Sequence, residues 1–299
     1  MKNFIKKYFP NFFILIKLAY DLRKDYILKN IYNTNHNKYA LLSYIKSPFL
    51  SLNNHRHTNY TEATVWAEIL NELGYNVDVI EYNSPKIYDL EKYDLLCGFG
   101  NSFDNSFKYQ TKKTLKRILY STGFNHLEAN LISAKRAKDV FEKKGKWLFE
   151  SIRYNFYSWS FQIHLSDGII SIGNKVATNS YGKNISNKIY STPTPLYSFH
   201  NYKDVINNKQ KNYRNNFLWF GSKGVIHKGL DLLLDFFSNN EKLTLHICGM
   251  EGEQDFQLSY VEELRSSNII NHGFIDIRDQ KFKSILANCG YIIFPSASE

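Results

Sequence analysis

Cysteine is scarce: the 299 residues hold three, Cys97, Cys248 and Cys289, all within apolar runs and none in a C-x-x-C pair. That excludes a disulfide framework and argues against a structural zinc site, and it fits a reducing compartment. Long apolar runs are absent as well. The stretch from Phe12 to Tyr20 is interrupted by Lys17 and falls far short of the roughly 20 residues a membrane span needs. It also lacks a small-residue cleavage site, so no signal peptide is expected. Phosphate-loop signatures are missing too. Gly224-x-x-x-x-Gly229 is followed by Leu230 where a Walker A loop has Lys-Ser/Thr, and Gly98-Phe-Gly100 has Phe103 where a dinucleotide fingerprint has its third glycine.

Acidic charge is short: 38 Lys and Arg face 28 Asp and Glu, a formal net charge of +10. The imbalance is uneven. Residues 1–38 carry a net +6 and 39–212 a net +7, whereas 213–299 carry a net −3. A positive field over the first two thirds points to an anionic partner. Nucleic acid and an anionic membrane leaflet are the candidates; the basic residues of 108–146 fall among helical periods without an aromatic binding pattern, which argues against nucleic acid. Hydrophobic residues make up 43%, enough for large cores.

Residues 1–38 read as a basic amphipathic segment. A helix from about 11 to 28 places Phe12, Leu15, Ala19, Leu22 and Tyr26 on one face, suited to lying in a membrane interface or packing on the domain that follows. From Tyr39 the pattern changes to near-continuous apolar strands alternating with helices, the mark of parallel sheets covered on both faces. Strands are expected at 39–45, 77–80, 94–97, 117–120 and 168–172. Helices are expected at about 63–73 and, as one long stretch, at 127–161. Pro193, Pro195 and the Lys/Asn-rich run to Asn216 suggest a linker. A second series follows, with strands at 217–220, 243–247, 269–275 and 291–294 and helices at 230–237, 256–264 and 282–287. The fold class is therefore α/β with two Rossmann-like domains. Residues 1–38 precede a first domain at 39–200, a linker spans 201–216, and a second domain fills 217–299.

The strongest local signal is Phe220-Gly-Ser-Lys-Gly-Val-Ile-His-Lys-Gly229, between a strand and a helix. Gly221 and Gly224 allow a tight turn, helix N-terminal amides attract anions, and Lys223 and Lys228 add full positive charges, a set suited to a diphosphate. Other candidates weigh less. His55-Arg-His57 lacks a carboxylate at metal-ligand spacing. His164, His200 and His246 show no partners in the sequence, and His246 reads as a core residue. Asp276-Ile-Arg-Asp279 reads as a turn opening a helix.

This loop, the Cys248-Gly249 turn, His272-Gly-Phe-Ile275 and Phe294-Pro-Ser-Ala-Ser-Glu299 together resemble the donor domain of the retaining nucleotide-sugar glycosyltransferases of family 4, which have the GT-B fold. The resemblance implies that Lys228-Gly229 matches the family's Lys-Gly, and that Lys223 or Ser222 stands where the family has Arg. It makes Gly221, Ser222, Lys223, Lys228, Gly249, Gly273, Phe274, Ile275, Ser298 and Glu299 donor-binding, with Lys223, Lys228 and Glu299 catalytic and Glu299 the first carboxylate of an E-x7-E motif. The second carboxylate would fall eight positions beyond Glu299, so the donor domain is expected to be incomplete, and a truncated, inactive binding module is an alternative. More loosely, His57, Asn59, Thr122 and His126 sit at strand ends of the first domain where the family takes its acceptor. The implied partners are a UDP- or GDP-linked sugar, a glycan or lipid-linked acceptor, and the inner membrane surface, with no metal or other cofactor and a cytoplasmic location. A nucleotide-sugar epimerase would need an acid/base set that the sequence does not show.

Overall fold

A computed structural model describes residues 26–50, 58–155, 160–182, 185, 188–196, 199–250 and 252–298. The expected helix at 11–28 lies mostly outside these residues, as do His57 and Glu299. Its last residues are not helical: Leu28 exchanges main-chain hydrogen bonds with Val79 at 2.9 and 2.8 Å.

By main-chain contacts the chain forms two units, 1–125 with 159–196, and 126–158 with 197–299. The first is an α/β unit around a six-stranded sheet. Its strands are β1 (Lys38–Tyr44), β2 (Tyr75–Glu81), β3 (Leu95–Gly98), β4 (Lys116–Ser121), β5 (Gly168–Ile172) and β6 (Ile189–Thr192). They run in the order β2-β1-β3-β4-β5-β6, and every pair is parallel. Residues 40–44 of β1 are all buried, as a central parallel strand covered on both faces must be. Helices α1 (Ser47–Leu50), α2 (Asn59–Glu72), α3 (Asn101–Asn105), α5 (Ser160–Leu165) and α6 (Lys175–Asn179) belong to this unit. Ala63, Ala67 and Leu70 form the buried side of α2. Asp78, an acidic residue inside β2, is buried, and it is held by Lys92 Nζ at 2.5 Å, the Tyr93 hydroxyl at 2.7 Å and the Asn30 amide at 2.8 Å.

The second unit holds a four-stranded parallel sheet in the order β10-β7-β8-β9. Its strands are β7 (Asn216–Phe220), β8 (Thr244–Cys248), β9 (Ile269–Asn271) and β10 (Tyr291–Ile292). Helices α8 (Leu230–Ser238), α9 (Gln254–Ser259), α10 (Val261–Leu264) and α11 (Gln280–Asn288) alternate with them. Trp219, Leu234, Phe237, Leu245, Ile247, Phe256 and Tyr260 form the larger core on one face. Leu218, Cys248, Ile275, Phe282 and Ile285 form the smaller one on the other. All three cysteines are buried and free of disulfides.

Several elements differ from the sequence reading. The long helix expected over 127–161 is α4 (His126–Lys144); it ends before Gly145, which has φ 68°, a conformation that only glycine adopts cheaply. By contacts α4 belongs with the second unit, where Arg136 pairs with Asp231 at 2.5 Å and Lys144 with Glu263 at 2.5 Å. The 256–264 helix is divided at Tyr260, whose ring stacks on Phe256 at 4.6 Å. The strand expected over 269–275 ends at Asn271, and the one expected over 291–294 is paired only at 291–292. Residues 201–216, read as the linker, hold helix α7 (Tyr202–Asn207) and a 3-10 turn at Tyr213–Asn215.

Candidate functional site

In an open parallel sheet the ligand side is the carboxyl end of the strands, because the loops there are free to vary while the sheet is fixed. In the second unit that edge is lined by backbone. The Gly221 amide donates to the Cys248 carbonyl at 2.9 Å, and the Gly249 amide donates to the Gly273 carbonyl at 2.7 Å. A Cβ on Gly249, which has φ 92°, would lie 1.8 Å from the Gly221 carbonyl oxygen, and one on Gly221 would lie 2.5 Å from the Trp219 ring. Close approach therefore requires glycine at both positions, and the result is a shelf of main chain at the ends of β7, β8 and β9.

Beside the shelf, the 221–229 loop folds back on itself. Lys228 donates its amide to the Gly224 carbonyl, Gly229 to Ile226 and Leu230 to Val225, each at 3.0 Å. The Trp219 indole N–H donates to the Lys228 carbonyl at 3.1 Å, and Lys228 Nζ donates to Ser222 Oγ at 2.9 Å. Lys228 is thus anchored through its backbone, with its ammonium held at the mouth of β7. Lys223 is exposed.

Two amides expected to attract an external anion are already used. Gly224 N and Val225 N donate to the Glu253 carboxylate at 2.5 and 3.2 Å. Burial raises the Glu253 carboxyl above its ordinary value, and these two bonds oppose the shift. Asp231, in the first turn of α8, is buried against Arg136, and burial raises its carboxyl too. Lys223 and Lys228 bring positive charge to this loop, and the exposed Arg153 packs beside Gly224.

The 294–298 segment packs on the same loop. The Ala297 amide donates to the His227 carbonyl at 2.9 Å. His227, only 4% exposed, places Nδ1 2.8 Å from Ser133 Oγ and Nε2 3.2 Å from the Ser298 carbonyl. Gly229, with φ 70°, would put a Cβ 2.3 Å from the Pro295 carbonyl oxygen. His227 and Glu253 are thus structural members of this site that the sequence reading missed. Both lie within or near the quoted motifs, but neither has a partner at a recognisable spacing.

Gly221, Ser222, Lys228, Gly249 and Gly273 therefore gather at one sheet edge, and Ser298 is tied to the loop beside them. Phe274 stands 67% exposed next to Gly273, whereas Ile275 is buried in the smaller core, so the Ile275 side chain is turned away from any ligand. Beneath the edge, His246 Nδ1 lies 3.0 Å from His272 Nε2 with the rings stacked at 5.3 Å; His246 has the partner its sequence context did not reveal. Burial, then the neighbouring His272, lowers His246 to about 4. The acceptor-side residues divide between the units: Asn59 opens α2 and Thr122 follows β4 in the first, while His126 opens α4 in the second. Among the described residues no group of His, Cys, Asp and Glu side chains could hold a metal ion, and no helix is long and apolar enough to cross a membrane.

The chain thus belongs to the α/β class with two Rossmann-like units. No family profile matches it, and no curated protein matches by sequence. Several solved structures are similar, three of them as follows. A mutant of S. aureus TarM in complex with fondaparinux, α-GlcNAc-glycerol and UDP is 13% identical over 77% of this chain and 39% of that one, with a TM-score of 0.39. Anabaena HepE in complex with UDP and glucose is 11% identical over 87% of this chain and 74% of that one, with a TM-score of 0.45. WaaG, a glycosyltransferase involved in lipopolysaccharide biosynthesis, is 15% identical over 82% of this chain and 60% of that one, with a TM-score of 0.35. The chain spans well under half of the TarM chain. The fold class rests on the two parallel sheets.

Proposed function

We propose that the chain is a nucleotide-sugar glycosyltransferase of the GT-B type, of the retaining kind that its motifs resemble, and that the shelf at 221–229, 249 and 273 binds the donor diphosphate. The observation that carries this reading is Lys228, anchored through its carbonyl and held by Ser222 beside a glycine-lined strand end. Departure of a nucleoside diphosphate leaves negative charge on the phosphate as positive charge develops on the sugar. A fixed ammonium at that point stabilises the transition state more than the ground state, an effect worth roughly 3–4 kcal/mol in a water-poor site. Lys223 would add a second charge, Phe274 a face for the base, and Ser298 with Glu299 the polar contacts on the sugar side. The first unit would take a glycan or lipid-linked acceptor, at a cytoplasmic membrane surface, with no metal or other cofactor required.

Calorimetry with UDP and GDP tests the donor site. Lys228→Ala is expected to weaken binding tenfold to several hundredfold, about 1.4–4 kcal/mol. Undiminished affinity, or binding only with Mg²⁺, would count against the assignment.

A further inference from the structure

The first unit contains a cavity of about 370 Å³ between α2 and the sheet face at β4, β5 and β6, within the size range of small-ligand pockets. Its lining is mostly apolar and combines aromatic rings (Trp66, Tyr120, Tyr190) with aliphatic side chains (Val65, Ile69, Ile170, Pro195). Trp66 packs edge-to-face on Tyr120, with ring centroids 5.2 Å apart, and Tyr190 on the edge strand β6 stands 65% exposed. Ser191 and Thr192 of β6 also line it. One carboxylate, Glu62, lines the same space.

Glu62 is what decides the chemistry. Its Oε2 accepts the hydroxyls of Tyr44 at 2.7 Å and Tyr120 at 2.8 Å. Burial first, and then the Glu62 charge, push both phenols above their ordinary value, so both remain donors. The carboxylate is thereby fixed in place through Oε2, and among the described residues Oε1 has no hydrogen-bond partner. An aliphatic occupant would contact Val65, Ile69 and Ile170 but would desolvate that oxygen without replacing its hydrogen bond, a cost of at least 1–3 kcal/mol for a polar group and more for a charged one. A water-filled pocket would leave the Trp66 and Tyr190 faces wet. A sugar ring meets both demands, because its C–H faces lie on aromatic rings while vicinal hydroxyls donate to a carboxylate in charge-assisted bonds.

We propose that this pocket is a pyranoside-binding site, with Glu62 as the hydroxyl acceptor, Trp66 and Tyr190 as the ring platforms and Thr192 in the lining. The site stands independently of the donor reading. If both hold, the sugar bound here is one of the acceptor's.

The test is saturation-transfer-difference NMR on the full chain with methyl gluco-, galacto-, manno- and N-acetylglucosaminides, and with n-octanol as the aliphatic probe. At least one pyranoside should show transfer to its ring protons. That signal should fall tenfold or more in Glu62→Gln, which keeps an acceptor for the tyrosines but removes the charge, and in Tyr190→Ala, a change on an exposed edge. Lys228→Ala should leave it unchanged, which separates failure here from failure of the donor site. Absence of transfer to every pyranoside, or an octanol signal that survives Glu62→Gln while the sugars give none, would overturn the proposal.

Discussion

Charged side chains here are mostly satisfied from inside the protein, which makes the exceptions informative. Glu253 accepts from two amides of the 221–229 loop, and Asp231 in the first turn of α8 pairs with Arg136. Truncating Glu253 to Ala would leave Gly224 N and Val225 N buried without partners, and should destabilise the second unit by about 1–3 kcal/mol, read as a lower denaturant midpoint at unchanged slope. The His246–His272 pair makes a second prediction at this scale. The folded value of His246 is lowered to about 4 while the unfolded chain titrates near 6.5. The unfolded state therefore binds more protons between those values, and stability falls as pH drops through that window. His272 is lowered as well, by burial and then by Lys281. Unfolding measured from pH 7.5 to 4 should show an acid loss of up to about 3 kcal/mol that His246→Leu flattens. An unchanged acid limb in that variant would assign the loss to other groups.

At the scale of elements, the shelf depends on glycines whose replacements have nowhere to go. Gly249→Ala would drive a methyl group into the Gly221 carbonyl at a φ of 92°, and should cost about 2–4 kcal/mol, seen as a lower Tm together with loss of nucleotide binding. Gly123→Ala is the matched control. Its φ is 140°, but a Cβ there meets nothing within 4 Å, so strain alone should cost less. This is also where the sequence is most legible. The β-strands announce themselves as apolar runs, since a parallel strand buried on both faces has no polar alternation to confuse, and β1, β2, β4, β5 and β7 fall within one or two residues of where those runs lie. Strand β6 escapes because Ile189-Tyr-Ser-Thr192 is an edge strand with only a partly buried face. Helix α4 is overextended because Glu, Lys and Arg continue its period past Gly145. Its place with the second unit depends on ion pairs to Asp231 and Glu263 that lie about 95 to 119 residues away in sequence, and no local pattern encodes these. The donor loop is legible as a motif, but Glu253, His227 and the aromatic pocket around Glu62 are tertiary meetings and are not.

Across the whole molecule the charge is divided, with the net +13 of residues 1–212 set against the net −3 of 213–299. Each Lys or Arg near an anionic bilayer contributes roughly 1 kcal/mol, within a Debye length of about 8–10 Å. Sedimentation with anionic vesicles should retain the protein at low salt and release it at high salt, and deletion of residues 1–37 should weaken retention. Equal retention by neutral vesicles would remove the electrostatic explanation. The proposed donor site lies in the second unit, and amide chemical-shift mapping during a UDP titration without divalent metal tests it most directly. The predicted result is a contiguous set of shifts at Gly221, Ser222, Lys228, Gly249, Gly273 and Phe274 that collapses in Lys228→Ala. Shifts confined to other surfaces, or none at saturating UDP, would contradict it.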